Sequence, residues 1–202
     1  MGGEFRVCLV GCGSMSNNAH GPSCRLYAAT HPGTVLAGCC DLDRARAEAY
    51  AAEFGFEAAF TDVDAMLEQC DPDAVCLIAP VELTCELSCK LLERGIPLMM
   101  EKPPGLNPAE TRRMIDVAAA ADAPNQVAFN RRYHPLVQRL CAELRALAAE
   151  GQPILTVQYE MLRAPKPSPP AHLACLTEGP YVRRRPAVRR RLRHDSRTRH
   201  RR

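Results

Sequence analysis

The stretch FRVCLVGCGSMS, residues 5–16, decides the fold. Residues 5–10 form a short β-favouring apolar run, interrupted by Arg6, that stops at Gly11 as a buried strand does. Gly11-Cys12-Gly13-Ser14-Met15-Ser16 follows without a spacer. In a dinucleotide-binding fold the first glycine of such a loop makes the tight turn. The second lets the backbone approach a pyrophosphate, and a small third residue allows helix and strand to pack. Ser16 occupies that third position, small enough to serve but a departure. Backbone N–H groups at the start of the next helix are suited to hold phosphates. A plain strand–helix turn is the alternative, because glycine turns after strands are common.

Read outward, the chain alternates. A helical stretch at 26–29 stops before His31-Pro32-Gly33, and a second apolar run covers 35–40 and closes at Asp41. Asp43 is placed to cap a helix over 44–54, rich in Ala and Glu and ending at Gly55. A weak strand at 57–60 and a short helix at 63–69 precede a strong strand at 74–79, which ends at Pro80. Helical patterning at 82–93 stops at Gly95, and the next strand is 98–100. Pro108 opens a helix to about 121, a strand follows at 126–129, and a helix at 136–149 precedes a longer strand at 154–162. For roughly the first 130 residues the strands are apolar throughout and the connections short. That is the pattern of α/β: a doubly wound parallel sheet, covered by helices on both faces.

Asp41 strengthens the dinucleotide reading. A carboxylate at the end of the second strand accepts hydrogen bonds from the adenosine ribose hydroxyls. It repels a 2′-phosphate, so NAD is expected and NADP less so; Arg44, close in sequence, blurs that preference. The other role open to Asp41 is a helix cap, which Asp43 already fills. A methyltransferase also carries a glycine-rich loop and an acid after its second strand, so fold alone does not choose the chemistry.

The stretch LMMEKPPG, residues 98–105, narrows the choice. Counted as the fifth strand, it delivers Glu101 and Lys102 at its carboxyl end, where open α/β sheets bind ligands. Pro103 and Pro104 stiffen the exit and direct the lysine. The pair is expected to line the nicotinamide half of the site.

Composition excludes other classes. The 202 residues are 47% hydrophobic and 24% charged and contain no Trp. They hold no apolar run of membrane-span length and no signal-peptide pattern, so a cytoplasmic protein without membrane contact is expected. Eleven cysteines are scattered without a C-x-x-C, which argues for reduced thiols packed as small hydrophobes and against a metal site or a disulfide framework. Net charge divides the chain. Residues 1–162 carry 13 basic and 21 acidic side chains, whereas residues 163–202 carry 13 basic and 2 acidic.

Several motifs in order resemble one family, the glucose–fructose oxidoreductase and inositol dehydrogenase (Gfo/Idh/MocA) family. They are VGCGSM at 10–15, CDLD at 40–43, DAVCLIAP at 73–80, EKP at 101–103 and FNRRYHP at 129–135. The resemblance covers about residues 5–162. It implies a Rossmann domain over 1–130 and the start of an incomplete α+β second domain over 131–162, in a truncated member. It also implies an NAD(P)-dependent dehydrogenase that exchanges a hydride with a small sugar, inositol or polyol. The full-length family is expected to form homo-oligomers.

Carried over by position, Gly11, Gly13, Ser14 and Met15 meet the pyrophosphate and Asp41 the ribose. Ala79 and Pro80 flank the cofactor, and Glu101 and Asn130 lie near the nicotinamide ribose. Lys102 is the catalytic residue, binding the reacting hydroxyl, with burial lowering its pKa. Arg132 and His134 sit near the substrate, although His134 is equally well placed as a helix cap. No metal is implied.

Two departures matter. The family's Thr-Pro-x-x-x-His stretch reads Ala79-Pro80-Val81-Glu82-Leu83-Thr84 here, without the histidine. The Asp-x-x-x-His pair that completes the family's catalytic set in its second domain has no match after Leu162. Cofactor binding with little turnover is therefore expected, and a non-enzymatic dinucleotide-binding module is the alternative. Residues 163–202, rich in Arg and Pro, read either as a segment without packed structure, such as an out-of-frame extension, or as a basic arm for nucleic acid. With Tyr181 its lone aromatic residue, base stacking has little support and nucleic-acid binding is not expected.

Overall fold

The computed structural model describes residues 3–158. Residues up to Gln152 form one compact unit. Its frame is a parallel six-stranded sheet made of β1 (Phe5–Val10), β2 (Thr34–Cys40), β3 (Ala59–Phe60), β4 (Ala74–Leu77), β5 (Leu98–Met100) and β6 (Asn125–Val127). The strand order is β3-β2-β1-β4-β5-β6. The order reverses between β1 and β4, and at that point the loops leaving the two strands diverge and open a crevice at their carboxyl ends.

Helices α1 (Gly21–Thr30), α2 (Arg44–Phe54), α3 (Val63–Cys70), α4 (Val81–Glu93) and α5 (Pro108–Ala120) connect the strands. Both faces of the sheet are buried. On one face Val7, Leu9, Leu36 and Cys39 pack with Tyr50, Phe54 and Phe56. On the other, Cys8, Val10, Ala37 and Cys40 pack with Met66, Leu67, Leu91 and Leu92. Alternate residues of β1 thus serve opposite layers, which is why its sequence is apolar almost throughout.

The β1–β2 register slips by one residue between Val7↔Leu36 and Cys8↔Gly38. The bulge lets Ala37 and Gly38 face the same layer. A Cβ on Gly38 would stand 2.7 Å from Cys70 Sγ, so the absent side chain admits α3 close to the sheet.

The elements expected up to residue 149 are present, most with shifted ends. Asp43 caps α2 by accepting from the Arg46 N–H, as its position predicts. The strand expected at 57–60 contracts to Ala59–Phe60, because β3 pairs with β2 only at Cys39 and Cys40. The strand expected at 74–79 ends at Leu77; beyond it Ile78 still donates its N–H to the Val10 carbonyl before the chain turns away. The strand expected at 98–100 is β5 itself.

After β6 come a 3-10 turn, Asn130–Tyr133, and α6 (Pro135–Ala149), which carries no buried residue. The strand predicted at 154–162 is not found in its described part. Residues 153–158 have no regular secondary structure, because a strand requires a hydrogen-bonded neighbour and none is paired with them among the described residues. Residues 159–162 and the basic tail lie outside the described residues. Among the described residues no helix is long and apolar enough to cross a membrane.

Candidate functional site

Gly11 follows the end of β1, beside the end of β4, with φ 96°, and a Cβ there would stand 2.3 Å from the Ile78 carbonyl oxygen. Only glycine meets both conditions without strain. Gly13 is the reverse case: a Cβ on it would meet nothing within 4 Å, so its outer side is open to a ligand.

The loop is stitched to the helix it feeds by its own side chains. Buried Ser16 donates from Oγ to the Gly11 carbonyl. Asn17 Nδ2 donates to the Cys12 and Gly13 carbonyls at 2.9 and 3.0 Å, and Asn18 Nδ2 to the Ser14 carbonyl at 2.7 Å. The loop carbonyls are therefore turned into the protein. The first N–H groups of a helix have no carbonyl behind them, and that is where an anion is stabilised.

Asp41 stands at the exit of β2 with its side chain only 10% exposed. Its Oδ2 accepts from the Cys12 N–H at 2.9 Å, tying it to the glycine loop. Its Oδ1 accepts from the Asp43 N–H at 3.0 Å and from Arg46 Nη1 at 3.2 Å. The sequence suggested Arg44 as the neighbouring cation, and the structure corrects this. Arg44 pairs with Glu48 along α2, whereas Arg46, one turn after the Asp43 cap, reaches back to Asp41. Helix geometry was the signal for this, because the third residue after a cap folds over the cap.

A cavity of about 460 Å³ opens at these strand ends, lined by Gly11, Asp41, Arg46, Ala79 and Pro80 among others. Cys40 lines it too, and burial, helped by the nearby Asp62 and Asp41 charges, pushes its thiol up to about 11, so it serves as an apolar wall. Thr84 replaces the histidine of the family pattern. It is buried and donates to the Pro80 carbonyl at 3.1 Å, so it presents no group to the cavity edge.

At the end of β5, Glu101 is mostly buried and Lys102 follows it. No sequence signal pointed to the next residue, His20, whose Nε2 lies 2.9 Å from Glu101 Oε1. His20 closes a five-residue π-helical turn, Ser16–His20, inserted between the glycine loop and α1. Such wide turns recur at functional sites. Glu101 Oε2 accepts from its neighbour's backbone N–H at 3.0 Å and lies 3.7 Å from Lys102 Nζ. Burial raises the Glu101 pKa, but hydrogen bonds from His20 and the Lys102 N–H, with the charges of both residues, outweigh it and hold the carboxyl below its ordinary value. The expected burial of Lys102 is not found: its side chain is 53% exposed, because it projects past the last paired residue of β5.

The structure thus brings Gly11, Asp41, Ala79 and Pro80 around one cavity, with Gly13, Ser14 and Met15 continuing the loop. Glu101 and Lys102 join the same loop segment through His20. Asn130 and Arg132 lie on the exposed 3-10 turn after β6, where the Arg132 guanidinium stands 5.8 Å from the Phe129 ring centre. His134 is the N-cap of α6, its Nδ1 accepting from the Leu136 N–H at 3.3 Å. Among the described residues no cluster of His, Cys, Asp and Glu forms a metal site.

The model of the oxidoreductase family with an NAD-binding Rossmann fold (Gfo/Idh/MocA) matches residues 5–129. The chain is similar to D-glucoside 3-dehydrogenase of Escherichia coli, 30% identical over 67% of this chain and 38% of that protein. It is also similar to inositol 2-dehydrogenase 4 of Saccharopolyspora erythraea, 34% identical over 75% of this chain and 44% of that protein. Among solved structures, the WlbA dehydrogenase from Chromobacterium violaceum, in complex with NADH and UDP-GlcNAcA, superposes with a TM-score of 0.66. It is 27% identical, over 73% of this chain and 41% of that one. The chain thus spans about two-fifths of the length of the relatives it matches. With the glycine loop, the strand order and the family match in agreement, the chain belongs to the glucose–fructose oxidoreductase and inositol dehydrogenase family of NAD-binding Rossmann oxidoreductases.

Proposed function

We propose that this chain is the dinucleotide-binding part of an NAD(P)-dependent oxidoreductase that acts on a sugar, inositol or related polyol, with NAD(H) favoured over NADP(H). The observation that carries the reading is one continuous edge: the glycine loop, the Asp41 carboxylate hydrogen-bonded to it, and a cavity beside both. The residues present fit the group. Gly13 leaves open space on the side from which a pyrophosphate would approach, and the Asp41 carboxylate, tied to the same loop, is suited to accept from ribose hydroxyls.

A bound nicotinamide supplies a hydride acceptor or donor for a secondary alcohol or ketone. Gly11, Gly13, Ser14 and Met15 are assigned to the pyrophosphate, Asp41 to the adenosine ribose, Ala79 and Pro80 to the cofactor flank. Glu101 and Asn130 are assigned to the nicotinamide ribose, and Arg132 and His134 to the substrate side. Lys102, half exposed beside Glu101, donates a hydrogen bond to the reacting oxygen and stabilises alkoxide charge as it develops. The Asp-x-x-x-His pair that the resemblance assigns to proton transfer has no match after Leu162, so little turnover is expected of this chain. The residues 131–162 would begin the second domain, and a cytoplasmic homo-oligomer is the state we assign to the whole protein.

Calorimetric titration of NADH tests this. The wild-type chain should bind, Gly13→Val should lose binding without loss of fold, and Lys102→Ala should stay within about threefold, under about 0.7 kcal/mol. Affinity that survives Gly13→Val and Asp41→Ala alike would overturn the assignment.

A further inference from the structure

We propose that His20 is a positioning residue for Lys102, acting through Glu101, so that the charge on the imidazole is felt at the ammonium. The three side chains form a line. His20 Nε2 lies 2.9 Å from Glu101 Oε1, and the other oxygen of the same carboxylate lies 3.7 Å from Lys102 Nζ. His20 and Glu101 are 13% and 16% exposed, whereas Lys102 is 53% exposed. The inner pair is thus shielded and the outer member is exposed.

A carboxylate withdrawn from water needs hydrogen bonds or a counter-charge. Here it has both, from two different segments: His20 from the glycine-loop side and Lys102 from the β5 side. The π-helical turn brings the imidazole across, since it adds a residue to the turn between the loop and α1. The two charged groups in line with the imidazole are Glu101 and, beyond it, Lys102.

The consequence is a shared carboxylate. With the imidazole neutral, its ring N–H donates one hydrogen bond and Glu101 keeps its full charge for Lys102. With the imidazole protonated, two cations divide that charge, and the ammonium is held less firmly against Glu101. Lys102 then has more freedom to turn to an oxygen on the substrate side. The catalytic meaning of this coupling rests on the functional reading above, whereas the coupling itself does not.

The test uses the full chain without dinucleotide. The sequence has three lysines, Lys90, Lys102 and Lys166, so reductive ¹³C-methylation, which keeps the charge, gives few signals. Lys102→Arg assigns the Lys102 signal by its loss. As pH is varied, the Lys102 methyl resonance should show a step that coincides with the titration of the His20 ring, read from its own proton in the same samples. His20→Gln keeps a hydrogen-bond donor toward Glu101 but has no titrating ring, and it should lose the step while the fold is kept. Glu101→Gln should lose it as well. Lys90, held by Asp64 and not by Glu101 or His20, should show no such step. No step in the wild type, a step that persists in either Gln variant, or the same step at Lys90 would overturn the proposal. NADH titration of the same samples separates the two claims. Loss of binding in all of them would refute the functional reading and leave the lysine step to stand or fall by itself.

Discussion

Arg46 Nη1 lies 3.2 Å from Asp41 Oδ1, so the acid that is assigned to the ribose already carries a cation. The pairing tempers the repulsion that Asp41 alone would exert on a 2′-phosphate. A preference for NAD(H) of about tenfold, worth about 1.4 kcal/mol, is expected in place of near-exclusion of NADP(H). Asp41→Ala should narrow the preference and Arg46→Ala should widen it. Calorimetric titration of both dinucleotides checks each direction, and a wild type that prefers NADP(H) would refute the role given to Asp41.

Gly11 and Gly13 are two residues apart and should respond to alanine in opposite ways. Gly11→Ala places a side chain at φ 96° and 2.3 Å from a backbone oxygen, which costs at least about 1–2 kcal/mol for the conformation alone. Gly13→Ala meets no atom within 4 Å and should leave thermal stability close to wild type. Its effect should fall on dinucleotide affinity. Thermal unfolding and NADH titration of the two variants separate a folding glycine from a binding one.

Much of this fold was legible because its signals are local. The Asp43 cap and Gly55 bracket α2, and the apolar run before Asp41 marks β2. Glu101 and Lys102 fell at a strand end because Leu98–Met100 is a short apolar run. The misses have physical causes. The π-helical turn differs from an α-helical one by a shift of hydrogen-bond register, which leaves no trace in composition. The His20–Glu101 contact joins residues 81 apart in sequence, and no periodicity connects them. Lys102 was expected to be buried because the run before it is buried, yet the pairing of β5 ends at Met100 and leaves the lysine beyond it.

Glu101 gives the chain a dependence on acid. Its carboxyl is held below the ordinary value of 4.5 in the folded state. A depressed carboxyl pKa contributes stability above the unfolded-state value and loses it as pH falls through the folded-state value. Glu101→Gln should therefore be less stable than wild type near neutral pH, and the gap should close below about pH 4.5. Urea unfolding at a series of pH values reads this directly. A gap that widens on acidification would contradict the pairing with His20 and Lys102.

The α6 helix buries no residue, and Leu136, Leu140 and Leu147 are exposed. Few buried apolar contacts mean low local stability. Amide hydrogen exchange in residues 135–149 should be faster than in β1 and β4, whose residues Leu9, Val75 and Leu77 are fully buried. Protection of α6 equal to that of β1 in dilute monomer would show a covering surface that the described residues do not supply.

A dinucleotide along the carboxyl edge of β1, β2 and β4 would shield that edge, and hydrogen–deuterium exchange with and without NADH reads the shielding. New protection is expected in residues 11–16, 41–43 and 79–81, with little change in α5 and β6. An exchange map that NADH leaves unaltered in the glycine loop, or that changes only in residues 108–127, would contradict it.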